Sequence, residues 1–255
     1  MTCSGRRIIA GVTPHHRMKT KLEIRPLATP EEMARVAARE WIGLLKRRGD
    51  LSIPFGVALS GGRIARSFYE ATAAAVQGAE DFEAVHFFWA DERCVPPSSG
   101  ENNFAIAQEE LFAPLKIGAE NIHRIRGEAD PAYAVREAEA EICRILPLSE
   151  KGQPILDLVF LGMGEDGHVA SLFPEEEVSA VQDERVYRRV RATKPPPERI
   201  TLGYQPLIEA REVWVLASGR GKTEALQRLE AGDERLPICR VVSRRAKTIV
   251  FREAP

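Results

Sequence analysis

The sequence has little that would tie it to a membrane, a nucleic acid or a metal. No apolar run approaches the ~20 residues that a membrane-crossing helix needs, so no membrane partner is expected. Basic and acidic residues nearly cancel, 36 against 37, for a formal net charge of -1. The basic excess that usually marks nucleic-acid binding is therefore missing. Only four cysteines occur, Cys3, Cys94, Cys143 and Cys239, and no two of them form a C-x-x-C pair. That spacing supports neither a zinc site nor a disulfide framework, and a reducing cytoplasm is the simpler setting. The opening "MTCSGRRIIAGVTPHHRMKT" has a short apolar patch, but Pro14, His15 and His16 interrupt it before it reaches the length of a secretory core. Residues 1–20 are expected to form a disordered tail, and translation could begin at Met18, because structured patterning starts just after it.

What is present is an alternation of strand-like and helix-like segments. "LEIRPL" reads as a strand, and Thr29-Pro30-Glu31 opens a helix that Thr29 caps and Gly49 ends. Met33, Val36, Ala37, Trp41, Leu44 and Leu45 give that helix one apolar face. "PFGVALS", "AVHFFWA", "ILDLVFL", "EVWVLAS" and "KTIVF" read as further strands. Helical periodicity lies in "GGRIARSFYEATAAAVQ", in "ENNFAIAQEELF", from Pro131 to Leu146, and from Gly221 to Leu229. Apolar strands alternating with helices predict a single α/β domain over 21–255, with a mostly parallel, Rossmann-like sheet and helices on both faces.

Ligands of such sheets sit beyond the carboxyl ends of the strands. Four informative groups fall there: Ser60-Gly61-Gly62, Asp91-Glu92-Arg93, Gly162 to His168, and Ser218-Gly219. Gly162, Gly164 and Gly167 spell G-x-G-x-x-G, the pattern of a dinucleotide-binding turn. That pattern also needs a helix of several turns, and here Pro174 follows only seven residues after Gly167. The other reading is an acid/base turn, in which glycine geometry aims Asp166 and His168 into a cleft. A plainer alternative has His168 bonding to backbone and capping the turn.

At these residues the chain resembles the 6-phosphogluconolactonases, a family related to the glucosamine-6-phosphate deaminases. "LDLVFLGMGEDGHVASLFP" resembles the lactonase signature, "FFWADERCVPPSSGENNF" its Asp-Glu-Arg segment, and "ALSGGRIARSFYEA" its early glycine loop. "TKPPPERITLGYQPLIEAREVWVLASGRGKTEAL" resembles a later phosphate-side segment. The resemblance implies hydrolysis of 6-phosphoglucono-δ-lactone to 6-phosphogluconate, with no metal or organic cofactor and a monomer or weak homo-oligomer. It makes His168 the general base and gives Asp166 the task of positioning it or contacting sugar hydroxyls. Arg93 becomes the oxyanion donor or a phosphate ligand; the alternative is a surface pair with Glu92 or Asp91. The implied substrate and phosphate contacts are Ser60, Gly61, Gly62, Arg63, Asp91, Lys194, Arg199 and Lys222.

The chain also departs from its relatives. Their loop usually reads Ser-Gly-Gly-Ser-Thr-Pro, and this one reads "SGGRIA", so Arg63 either supplies charge in place of hydroxyls or points to solvent. The usual Ser-Asn is Asn102-Asn103, and the C-terminal segment lacks a tryptophan, a change expected to alter one sheet edge. Two other functions fit less well. A deaminase/isomerase would carry Phe-Asn-Glu-Pro where this chain has "ASLFP". A non-catalytic phosphosugar sensor would not need Asp166 and His168. Elsewhere, His86 is expected to pack in its strand, "HRIR" at His123 to be a strand with solvated charges, and "RVYRRVRATK" to lie near a polyanionic substrate. Cys94 is read as either activated by Arg93 or buried and inert.

Overall fold

The computed structural model describes residues 21–48, 52–76 and 82–254; the expected tail, Met18 and Gly49 fall outside the described residues. The chain opens with β1 (Lys21–Leu27), α1 (Pro30–Lys46), β2 (Phe55–Leu59), α2 (Arg63–Ala75), β3 (Val85–Trp89) and the short β4 (Asp91–Arg93). It continues through α3 (Asn103–Ala107), a π-helical turn at Gln108–Phe112, α4 (Ala113–Leu115), α5 (Pro131–Ile145) and β5 (Leu158–Gly162). Then come β6 (Tyr187–Arg191), β7 (Glu198–Leu202), α6 (Tyr204–Glu209), β8 (Glu212–Ala217), α7 (Thr223–Glu230), α8 (Pro237–Val242) and β9 (Lys247–Glu253).

Local chemistry accounts for the first helix. Thr29 Oγ1 accepts the Glu32 backbone N–H at 3.1 Å, proline stands at the first position, and Glu31 and Glu32 complement the positive end of the helix. The buried stripe is Met33, Ala34, Ala37, Ala38, Trp41, Ile42 and Leu45, whereas Val36 and Leu44 are only partly covered. Trp41 is fully buried, and its ring meets Phe68, Phe82, Phe87 and Phe160 at centroid separations between 5.2 and 6.3 Å. One side chain thus fastens α1 to α2, β3 and β5.

Six strands form a sheet in the order β1-β9-β8-β5-β2-β3, and every neighbouring pair is parallel. Continuous burial of Phe55 to Leu59 and Leu158 to Leu161 fits a sheet covered on both faces. Among the described residues no helix is long and apolar enough to cross a membrane.

Four expectations need correction. A second sheet, antiparallel and ordered β4-β7-β6, stands beside the first and has no counterpart in the strand pattern read from the sequence. Its β6 takes up the arginine-rich run, and those arginines face carboxylates of their own fold. Arg188, almost fully buried, pairs with Glu176, while Arg191 pairs with Glu198. β9 lies between β1 and β8, so the altered C-terminal segment is inside the sheet and not at its edge. "HRIR" is no strand: only Ile122 bridges to Phe87, and His123 is buried against His86, with their ring nitrogens 2.9 Å apart.

Trp41→Ala is expected to cost about 3–5 kcal/mol in urea denaturation. Trp41→Phe should cost less, about 1–2 kcal/mol, because it also removes a buried indole N–H that has no acceptor.

Candidate active site

From β2 the chain crosses to β3 on one side; from β5 it crosses to β8 on the other. This reversal leaves a crevice at the carboxyl ends of β2 and β5, where open α/β sheets bind ligands. A cavity of about 550 Å³ opens there. Ser60, Gly61, Gly62 and Arg63 form one wall, and Gly162, Met163, Gly164 and His168 another. Ser60 Oγ donates to the Phe160 carbonyl at 2.8 Å, holding the two walls together.

The turn after β5 is a narrow loop closed on itself. Met163 bridges Val169, and the Gly164 N–H donates to the His168 carbonyl at 2.8 Å. Within it, His168 Nδ1 lies 2.6 Å from Asp166 Oδ1, which also accepts the His168 backbone N–H at 3.2 Å. An ionised carboxylate accepts only, so Nδ1 carries the proton and Nε2 is left as the acceptor. Burial pushes the Asp166 carboxyl up, but the adjacent His168 and the hydrogen bonds from it outweigh that and hold it below the usual range. A Cβ on Gly164 would stand 2.0 Å from His168 Nδ1 and 2.3 Å from Asp166 Oδ1. The middle glycine therefore makes room for the pair, and Gly167 at φ +79 turns the chain. No α-helix follows; the next element is a 3₁₀ turn at Val178–Gln182, so the dinucleotide reading fails. The plainer reading of His168 fails as well, since its ring bonds a carboxylate and not the backbone.

The antiparallel sheet supplies a third wall. Asp91 is opposite Thr201 and Arg93 is opposite Arg199, and opposed residues share a face. Asp91, Arg93 and Arg199 all line the cavity. Arg93 does not pair with Asp91 or Glu92; its Nη1 donates to the Glu101 carbonyl at 2.6 Å and lies 3.4 Å from Glu101 Oε2. Arg199 is buried; it donates to the carbonyls of Pro196 at 3.0 Å and Lys194 at 3.4 Å, and its guanidinium lies over the Phe173 ring. Burial and then the adjacent Arg93 charge lower its pKa. Two guanidinium groups thus stand side by side in this wall, with the buried Asp91 carboxylate beside them.

Glu92 points the other way, into the protein. Its carboxylate accepts the backbone N–H groups of Arg93, Asn103 and Phe104 at 2.8–2.9 Å, which ties β4 to the start of α3. Burial pushes its pKa up to about 7 against those hydrogen bonds. Asn102 caps α3 through its side chain, as a serine would, so this departure from the family pattern is structurally neutral. Burial, then Glu198, pushes the Cys94 thiol up to about 11, so Arg93 does not activate it.

Lys222 lines the cavity from the turn before α7 and is half-buried. Burial lowers its pKa, Glu165 and Asp166 pull it up, and Lys194 and Arg63 push it down. Lys194 itself is exposed and not part of the wall. Asp166 is likewise not a wall residue; it touches His168 from behind.

Sequence reasoning missed Ser171 and Glu253. Ser171 is fully buried and donates to Asp91 Oδ2 at 2.6 Å, linking the histidine turn to β4 across 80 residues. Glu253, in β9, lines the cavity and accepts the Gly219 N–H at 2.8 Å. Both are ordinary polar residues in sequence, and only their nonlocal partners distinguish them. Among the described residues, no group of three or more His, Cys, Asp or Glu is placed to hold a metal ion.

The family model described as glucosamine-6-phosphate isomerases/6-phosphogluconolactonase matches residues 28–250. The chain belongs to this family. Within it, a curated 6-phosphogluconolactonase of Haemophilus influenzae is 32% identical over 181 residues, spanning 71% of this chain and 75% of that one. One of Treponema pallidum is 36% identical over 172 residues, spanning 67% and 70%. The solved 6-phosphogluconolactonase of Trypanosoma brucei superposes with a TM-score of 0.79 at 26% identity, covering 91% of this chain and 96% of that chain.

Two substitutions test this geometry. Gly164→Ala should abolish at least ~99% of kcat/KM, because its methyl occupies the space of the Asp166–His168 pair, while circular dichroism stays native. Glu92→Gln tests the buried carboxylate. The folded state holds this proton more tightly than the unfolded chain, so wild-type stability falls as pH rises from about 4.5 to about 7. Relative to wild type, the variant should therefore gain stability over that interval, by up to about 3 kcal/mol in urea titrations at pH 5 and pH 8.

Proposed function

We propose that this chain hydrolyses 6-phosphoglucono-δ-lactone to 6-phosphogluconate in the oxidative pentose phosphate pathway, in the cytoplasm. The observation that carries the reading is the Asp166–His168 hydrogen bond of 2.6 Å at the strand-reversal crevice, in a chain of the lactonase family.

His168 Nε2 takes a proton from water as the water oxygen attacks the lactone carbonyl. The carbonyl π electrons move to oxygen, and the resulting oxyanion faces the Arg93 guanidinium. Collapse of the tetrahedral intermediate expels the ring oxygen, which receives the proton back from His168. Asp166 keeps the ring in the productive tautomer. Asp91, held by Ser171, is positioned to accept hydrogen bonds from sugar hydroxyls. The phosphate sits at the start of α2, where the amides following Ser60, Gly61 and Gly62 are exposed and the helix dipole is favourable. Arg199 and Lys222 complete that end.

The test is hydrolysis of freshly generated lactone against its spontaneous background. His168→Ala should lower kcat by ~10²–10⁴-fold with the fold intact. Asp166→Asn should lose a comparable factor with KM little changed, because an amide donating to Nδ1 puts the proton on Nε2. Wild-type turnover no faster than background would sink the proposal. Ammonia released from glucosamine 6-phosphate would then favour the deaminase, and 6-phosphogluconate binding alone the sensor.

A further inference from the structure

We propose that Phe173 is a positioning residue of this site, a ring that fixes where His168 and Arg199 stand relative to each other. The inference rests on the reading above for the reaction in which those two residues take part.

Phe173 is half-buried and does not line the cavity. Its ring nevertheless meets two side chains that do. The His168 ring centroid lies 5.1 Å away at an interplanar angle of 46°, and the Arg199 guanidinium carbon sits over the ring, 5.9 Å from its centre. Both separations are in contact range for an aromatic pair and for a cation over a ring face. One side chain thus joins the turn after β5 to β7 of the antiparallel sheet. The Ser171 bonds to Asp91 and Thr201 make the same crossing, but they act on Asp91 and not on His168.

A backbone reversal brings the ring back onto the histidine. Ala170 takes the left-handed conformation at φ +50, uncommon for a residue with a Cβ, and the Leu172 N–H donates to the Val169 carbonyl at 2.9 Å. Leu172 is fully buried and anchors the returning chain, and the Phe173 carbonyl accepts the Glu176 N–H at 3.2 Å.

His168 and Arg199 are each bonded along one edge of a flat group. His168 is held at Nδ1 by Asp166, and Arg199 at Nε and Nη2 by two carbonyls. Such bonds fix the direction of a planar group but resist rocking about that edge only weakly. Contact against its face supplies the missing restraint. An aromatic ring suits both partners, because its electron-rich face meets an imidazole and a guanidinium equally well. Loss of the ring should reach kcat through His168 and KM through Arg199.

The experiment measures lactone hydrolysis by wild type, Phe173→Leu and Phe173→Tyr, and by Phe173→Leu combined with His168→Ala. Circular dichroism and thermal melts establish that each variant is folded, and Phe173→Met takes the place of Phe173→Leu if that variant is not. Phe173→Leu should lower kcat about 10- to 100-fold and raise KM about 2- to 10-fold, whereas Phe173→Tyr stays within about threefold of wild type in both. In the His168→Ala background the same change should alter kcat by less than about threefold, because its route to the chemistry is already gone. An unchanged kcat in Phe173→Leu, or a full loss that persists without His168, overturns the inference and leaves the lactonase reading in place. Carbon-13 relaxation of the His168 ring gives a readout that needs no turnover. Exchange broadening in Phe173→Leu but not in Phe173→Tyr supports the inference even where wild type fails to hydrolyse the lactone and the lactonase reading falls. A ring equally ordered in all three proteins overturns it.

Discussion

Between β2 and β5 the crossovers leave in opposite directions, so no connection covers the strand ends at that point. An all-parallel sheet needs long crossovers, and a single reversal in their direction creates one uncovered crevice. Everything chemical in this protein is arranged around it. The turn after β2 presents amides, the turn after β5 presents Asp166 and His168, and the small antiparallel sheet brings two arginines against the open side. Trp41 and the aromatic cluster behind it keep α2, β3 and β5 in place, so the crevice inherits the rigidity of the core.

The site separates its charges by element. The carboxylates that matter are each bonded within the fold: Asp166 to His168, Asp91 to Ser171, Glu92 to three backbone amides. The cations are left with carbonyls, one exposed glutamate, or no partner. The cavity gathers four cations, Arg63, Arg93, Arg199 and Lys222, although the whole chain is close to neutral. Net charge says nothing about such a local field, which is why the composition pointed away from polyanions in general and could not indicate a phosphate site.

Several elements were legible because their signals are local. Thr29-Pro30-Glu31 carries the whole of a helix start within three residues, and the parallel strands announce themselves as short apolar runs. The glycine turn was legible too, including the failure of the dinucleotide pattern, because the missing helix is a matter of the next ten residues. The antiparallel sheet was not, since β4 has only three residues and β6 is rich in arginine, so neither shows an apolar run. Lys194 is exposed in the proline-rich loop between β6 and β7, near enough for its charge to act on Lys222.

The sequence by itself determined the class of fold, the order of the six parallel strands and the longer helices, and the acid/base pair, because Asp166 and His168 are two residues apart and meet within one turn. Tertiary structure alone decided what that pair faces. Arg93 and Arg199 stand side by side across an antiparallel register, Ser171 reaches Asp91 from 80 residues away, and Glu253 reaches Gly219 from a strand inside the sheet. Such contacts depend on which strands become neighbours, a choice made by burying the whole core and not written in any short stretch of the chain.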